Sequence, residues 1–317
     1  GGSVIDRRHF LATGLGALLA GCIEGVPASP PPLDLYAELS AGRKVLLPAG
    51  DYVVHRRLPP GAIDGVGPAS RLIMAPECDI LMDGVGVASL TNLSLIGNNV
   101  GRSYATGMAV NIRGGGIFLD QVYLENFHAS YWVVATDCPL EAYRCTAVSR
   151  SGNAPNGSVI QEIAHVFTQY NAPGVVEECV FDIPHIKGAA AVFGTGHLTV
   201  RGCTIRDAGA STEIANEAGA YAILAYPDSG HGPELIATDN QIFRARSCGI
   251  YAAAAKFVDA RRNHFEGINL DSQAWEIPKA AIALNQVLEF YEEKNTFADN
   301  AHDIVMAWPT GKYEIRR

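Results

Sequence analysis

The chain of 317 residues is 48% hydrophobic and 18% charged, which excludes a disordered polypeptide and leaves ample apolar material for a buried core. Lysine plus arginine number 24 against 33 aspartate plus glutamate, a formal net charge of −9, so a sequence-independent grip on nucleic acid phosphates is disfavoured and no basic run restores it. With 33 glycines and 17 prolines the chain is rich in turns, which suits an all-β protein.

In chain order the first feature is an address. After a Gly-Gly-Ser scar, Asp6-Arg7-Arg8-His9-Phe10-Leu11 resembles a twin-arginine export signal, followed by an apolar run from Phe10 to Ala20 that is too short to span a bilayer. The run ends in Leu19-Ala20-Gly21-Cys22, which resembles a bacterial lipobox, so Cys22 is the expected lipidation site and a membrane-held lipid anchor is expected. Residues 1–22 therefore read as the export signal and residues 23–42, with Ser29-Pro30-Pro31-Pro32, as a tether and N-terminal cap. The expected location is the bacterial cell envelope, on the periplasmic side of a membrane. Setting Cys22 aside leaves six cysteines with no Cys-x-x-Cys pair, so no metal site is read from them; they are expected to be packed small residues.

After Leu39 no long helical period appears, whereas short apolar strands bounded by Gly, Asn and Asp recur. Eight segments align on one column: Leu93, Val122, Cys145, Cys179, Cys203, Asn240, Asn263 and Asn295, spaced 23 to 37 residues apart. A coil of at least 23 residues with a fixed turn column is what a parallel β-helix requires, because each coil gives one strand to each of several sheets and like positions stack about 4.8 Å apart. Asparagine suits the column because it tolerates the left-handed turn conformation and its amide can bond to the next coil. A second family of strands lies between these segments: 107–112, 131–134, 158–161, 188–192, 219–224, 249–252, 280–284 and 303–306. The reading is a single-domain, right-handed parallel β-helix over residues 43–317, with about 8–10 coils.

The entry Val45-Leu46-Leu47-Pro48-Ala49-Gly50-Asp51-Tyr52, followed by Gly65-Val66-Gly67, resembles the first coil of the pectin-lyase-like superfamily. That resemblance extends over residues 43–308 and implies a groove over one sheet that commonly holds an active site; the superfamily includes lyases, hydrolases, epimerases and non-catalytic domains. Insertions at 97–106, 149–157, 207–218 and 267–279 fall on one side and would wall such a groove. They and the strands beneath supply expected substrate-binding residues Arg102, Asn111, Arg113, Tyr221, Tyr251, Trp275 and Lys279.

Phe181-Asp182-Ile183-Pro184-His185-Ile186-Lys187 is the densest chemical segment and resembles, with Ile183 inserted, the Asp-Pro-His element of alginate C5 epimerases. In β-elimination or epimerisation of a uronate, Lys187 and Arg150 would hold the carboxylate, His185 would move the C5 proton, and Asp182 would orient His185 or hold a Ca²⁺ ion. The expected function is thus an exported lyase or epimerase of a uronate-containing polysaccharide. Two alternatives stand beside it. One is a glycoside hydrolase drawing its two carboxylates from Glu213, Glu217 and Glu276, and the other is a non-catalytic glycan-binding or envelope-assembly module.

Overall fold

The computed structural model describes residues 33–98, 107–127, 131–150, 165–186, 189–210, 220–228, 232–268, 279–307 and 311–316. Apart from Leu33 and Asp34 these lie in one compact unit, Leu35–Arg317. The 26 strands of the described residues join in a single hydrogen-bonded system in which every pairing between strands is parallel. From Tyr131–Thr136 on, each strand pairs with the one three places later in the chain. Ala189–Gly194 pairs with Ala220–Ala225, His197–Arg201 with Glu234–Thr238, and Thr204–Arg206 with Gln241–Phe243. Three sheets therefore grow side by side as the chain winds. Residues Ile80–Ile96 and Met108–Glu125 run through all three without a break, turning the first corner at Gly84–Gly86 and Gly114–Gly115. Gly115, at φ 110°, shows why that corner needs glycine: a Cβ there would sit 2.1 Å from the carbonyl oxygen of Gly86.

The interior is built from columns. In the first sheet Val110, Val133, Phe167, Val192, Ile223, Ile250 and Ile282 stand in direct register, all buried. Each contributes about 1.5–3 kcal/mol of apolar burial, and β-branched side chains fill the pleated surface well. At the near end Leu35 and Leu39 of the helix Leu35–Ser40 join this core and cover the first coil.

The expected turn column lies between the second and third sheets and is continuous along the axis. The amide N–H of Cys203 donates to Asn240 Oδ1 at 2.9 Å, that of Asn240 to Asn263 Oδ1 at 3.0 Å, and that of Asn263 to Asn295 Oδ1 at 2.7 Å. Each side-chain amide also donates to a carbonyl of the preceding coil, as Asn263 Nδ2 does to Ala237 O at 2.8 Å. In the cysteine part of the column the Cys145 N–H donates to Cys179 Sγ at 3.3 Å. One expectation is corrected: the left-handed residue is not the asparagine but the one before it. Asn92, Gln121, Arg144, Glu178, Gly202, Asp239, Arg262 and Lys294 all have φ between 52° and 63°. The asparagine keeps its place for its hydrogen bonds, and the preceding position, being solvent-facing, accepts almost any residue that bears the strain. The expected strand at 158–161 lies outside the described residues. The first-sheet strand of that coil is His165–Tyr170, in register with Tyr131–Thr136 and Ala189–Gly194, and Phe167 fixes it by seating between Val133 and Val192.

Candidate functional site

On the first sheet both faces are packed. Val133, Phe167, Val192 and their column fill the interior, while a second apolar cluster, separate from the main core, forms on the other face from Ala190, Phe193, Leu224, Cys248, Tyr251 and Ala283, with Tyr170 and Tyr221 against it. Its rings form a row along the axis. His165 stacks between Tyr131 at 5.7 Å and Phe193 at 4.6 Å, Tyr170 meets Phe193 edge-on at 5.5 Å, and Tyr221 stacks on Tyr251 at 5.6 Å. The Tyr170 hydroxyl donates to that of Tyr131 at 2.9 Å.

Burial sets the protonation of this row. The His165 imidazole, 7% exposed, is pushed down to a pKa of about 3, and its Nδ1 accepts the Ala190 N–H at 3.0 Å, so the ring is neutral with its proton on Nε2. Burial likewise raises the phenols of Tyr170, Tyr221 and Tyr251, which stay protonated, and lifts the Cys248 thiol to about 12, too high for a nucleophilic thiolate at neutral pH. The row is thus an uncharged, ring-lined face. Its rim is more polar: Tyr226 is 48% exposed, Asp228 lies close enough to Tyr170 for its charge to bear on the phenol, and Asn285 Oδ1 is buried with no hydrogen-bond partner among the described residues.

The expected site residues divide into three groups. Tyr221 and Tyr251 belong to the aromatic row, and Lys279 is half-buried immediately before the strand Ala280–Asn285. Asn111 and Arg113 form a charged cluster at the row's near end around Asp83. Asn111 Nδ2 donates to Asp83 Oδ1 at 2.9 Å, Arg57 Nη1 donates to Asp83 Oδ2 at 2.6 Å, and Arg113 Nη2 stands 3.9 Å from Asp83 Oδ1 with its side chain 62% exposed. Arg57 also grips Asp79, and those hydrogen bonds hold the Asp79 carboxyl below its usual range.

Arg150, Asp182 and His185 meet at one corner of two successive coils, because the Ser149 N–H donates to Asp182 O at 2.9 Å and the His185 N–H donates to Ser149 Oγ at 3.0 Å. Buried Ile183 and Ile186 anchor the turn between them, leaving His185 half-buried and Asp182 exposed at the end of Val180–Asp182. The Arg150 side chain is turned the other way, with Nε 3.3 Å from Glu125 Oε1 and Nη2 donating to Tyr123 OH at 3.2 Å. Among the described residues no hydrogen bond or ion pair joins Asp182 to His185. Cys22, Arg102, Lys187, Glu213, Glu217, Trp275 and Glu276 lie outside the described residues. Among the described residues no group of three His, Cys, Asp or Glu side chains is arranged to hold a metal ion, and no helix is long and apolar enough to cross a membrane.

Solved structures resemble the chain along most of its length. The tailspike protein of E. coli bacteriophage HK620, solved with a hexasaccharide, superposes with a TM-score of 0.51 at 14% identity, covering 89% of this chain and 59% of that one. The surface adhesin PfbA of Streptococcus pneumoniae gives 0.49 at 11% identity over 89% and 83% of the two chains. The catalytic domain of a GH87 alpha-1,3-glucanase in complex with nigerose gives 0.45 at 10% identity over 83% and 63%. This chain thus spans less than two-thirds of the glucanase and tailspike chains. No protein-family model matches the sequence, and no curated protein is similar to it. The chain has the right-handed parallel β-helix fold.

Sequence reasoning found Tyr221 and Tyr251 but missed Tyr131, His165, Tyr170, Phe193 and Tyr226. The spacing from Phe167 back to Val133 equals that of the flanking turn column, Cys145 to Cys179, and would have placed the strand correctly. Two cavities also open away from the first sheet. One of about 450 Å³ on the third sheet is lined by Arg206, Phe243, Arg244, Glu266, Gly267 and Asp299, and one of about 300 Å³ lies on the second sheet beside Phe257 and Tyr291.

Proposed function

We propose that this chain is an exported, envelope-held protein that engages a polysaccharide along the outer face of the first sheet and its corner with the third. The observation that carries this reading is the row of rings Tyr131, His165, Phe193, Tyr170, Tyr221 and Tyr251, which follows the coil axis and ends at the exposed Tyr226 on one rim and at Arg113 near the other end. His165, Phe193 and Tyr251 are buried beneath this face, so the half-buried Tyr131, Tyr170 and Tyr221 and the exposed Tyr226 are the rings that would meet a sugar, and uncharged phenols satisfy hydroxyl groups without demanding a counter-charge. The tailspike neighbour, solved with a hexasaccharide, supports the reading at the level of fold. Export through Arg7-Arg8 and anchoring through Cys22 would place the protein where such polymers lie.

The chemistry proposed at this face is lyase or C5-epimerase action on a uronate-containing chain. His185 would move the proton and Lys187 would hold the carboxylate; Arg150 would join it on leaving Glu125 and Tyr123, and Arg113, at the other edge of the sheet beside Asp83, would hold a different residue of the polymer. His185 lies on the turn between the third-sheet strand Val180–Asp182 and the first-sheet strand Ala189–Gly194. The test is incubation with alginate, pectate and glucuronan, following ultraviolet absorbance for the unsaturated product and proton NMR for epimerised residues. We expect turnover of one of them, a fall of about 10²- to 10⁴-fold in His185→Ala, and weaker polymer retention in Tyr226→Ala. Binding without turnover on any of these polymers would assign the non-catalytic glycan-binding role, and absence of both would refute the proposal.

A further inference from the structure

The outer face of the second sheet changes character along the axis. Among the described residues six large apolar side chains are more than half exposed, and five of them, Leu46, Val53, Val66, Val85 and Val87, belong to the first three coils. The sixth, Leu288, lies near the far end. Single exposed apolar residues are ordinary on any surface, whereas a confined group of them marks a contact. Four of the five border one face. Val85, 79% exposed, and Val87, 58%, stand on its corner with the first sheet, with Gly86 between them against Pro60. Leu46, 70% exposed, and Val66, 72%, stand toward its corner with the third sheet, beside the exposed Pro48 and Pro68. Leu46 is in register with Asp64, two residues before Val66. The floor between these two ridges includes the small, half-buried Ala62 and Ser89, which are in register.

The charges at this end are matched. Asp64 is held by Lys44 Nζ at 3.2 Å and by Thr91 Oγ1 at 2.6 Å, Arg43 Nη2 donates to Glu38 at 2.9 Å, and Arg71 lies 3.1 Å from Asp51. Farther along, the column that contains Val87 turns polar and runs through His197, Glu234, Phe257 and Glu289. What meets the ridges follows from where the chain leaves. The helix Leu35–Ser40 covers the first coil, and residues 23–34 separate it from Cys22, a length that extends to at most about 40 Å. A lipid on Cys22 would therefore hold this end of the coil stack next to a bilayer. An apolar facet with its charges paired suits the boundary between headgroups and acyl chains and requires no anionic lipid.

We propose that the near end of the second sheet rests on the lipid bilayer, with Leu46, Val66, Val85 and Val87 dipping into its interface. The proposal rests on Cys22 as the anchored residue, and the test supplies that anchor chemically. The full chain is coupled through Cys22 to a maleimide-bearing lipid in phosphatidylcholine vesicles; the other six cysteines are buried. Val66→Trp and Val85→Trp place a reporter on each ridge. Leu288→Trp places one on the corner that carries Val85, seven coils and about 34 Å farther along the axis. On the vesicles the two near-end tryptophans should emit at shorter wavelength and be quenched by lipids brominated about 5–10 Å below the headgroups, at high salt as at low. Leu288→Trp should show neither effect. Changing Leu46 and Val87 to aspartate in the Val66→Trp protein should abolish both effects with the melting temperature retained, and serine at the same two positions should weaken them and serves if the aspartate form does not fold. No shift or quenching in either near-end reporter, equal quenching of Leu288→Trp, quenching that survives these changes, or a shift already complete in the uncoupled chain without vesicles overturns the proposal. Fatty-acid labelling in the bacterium reads the anchor separately: a facet that inserts on coupled vesicles, with no label on Cys22, refutes the anchor and not the facet.

Discussion

Lowering the pH should destabilise this fold through His165. The ring lies between Tyr131 and Phe193, 7% exposed, and burial depresses its pKa to about 3 against about 6.5 in the unfolded chain. Above pH 6.5 both states hold a neutral ring and no penalty exists. As pH falls through 6.5 toward 3, the unfolded chain takes up a proton that the folded protein cannot, so stability declines across that window. The loss comes to about 2 kcal/mol between pH 7.5 and 5 and about 4 kcal/mol at pH 3. Urea unfolding at pH 7.5, 6 and 5 measures it, with His165→Gln as the reference, because a glutamine oxygen can accept the Ala190 N–H while carrying no titration. The variant begins less stable, having lost the stacking, so the slopes and not the levels are compared. Every other histidine is common to both proteins and drops out of the difference. Profiles that stay parallel within about 0.5 kcal/mol, or an NMR titration of His165 centred near pH 6.5, would refute the reasoning.

Asn263→Ala removes the acceptor for both Asn240 nitrogens and the donor to Ala237 O and Asn295 Oδ1, so denaturant unfolding should show a loss of about 3–5 kcal/mol, with Asn263→Cys less damaging because cysteine fills this slot in three other coils. In the native bacterium, labelling by a fatty-acid analogue should vanish in Cys22→Ala and export should stop when Arg7 and Arg8 are both changed to lysine, each followed by cell fractionation; continued export of the double-lysine form would remove the twin-arginine assignment.

The repeat was legible because it has one demanding position per coil. Leu93, Val122, three cysteines and three asparagines share a slot that must be small or apolar and buried, or else able to bond to the coil above and the coil below at once. Few residue types meet that condition, so the column survives in the sequence although the coils differ in length. The position just before it carries the left-handed strain and shows nothing, since Arg144, Glu178, Asp239 and Lys294 meet it equally well from the solvent side. Strain that a backbone can absorb with any side chain leaves no compositional trace.

The site was harder to read for a related reason. A strand with one wet face advertises its interior by alternation, as Leu140–Tyr143 does, whereas Ala189–Gly194 and Cys248–Ala253 are buried at every position and read as uniform apolar runs. Tyr221 and Tyr251 were still visible as large polar-tipped rings in small-residue strands. His165 and Tyr170 were not, because the preceding apolar run at 158–161 competes for the same coil unless the 34-residue spacing of the flanking column, Cys145 to Cys179, is carried over to Val133 and Phe167. On the second sheet the obstacle was different again: Phe257-Val258-Asp259-Ala260-Arg261 alternates as an ordinary half-exposed strand, and nothing in that pattern reveals that Asp259 is buried. A β-helix repeats its interior from coil to coil, so sequence periodicity describes the interior. The outer positions are free to differ at every turn, and what they recognise follows from which unlike residues the winding brings side by side.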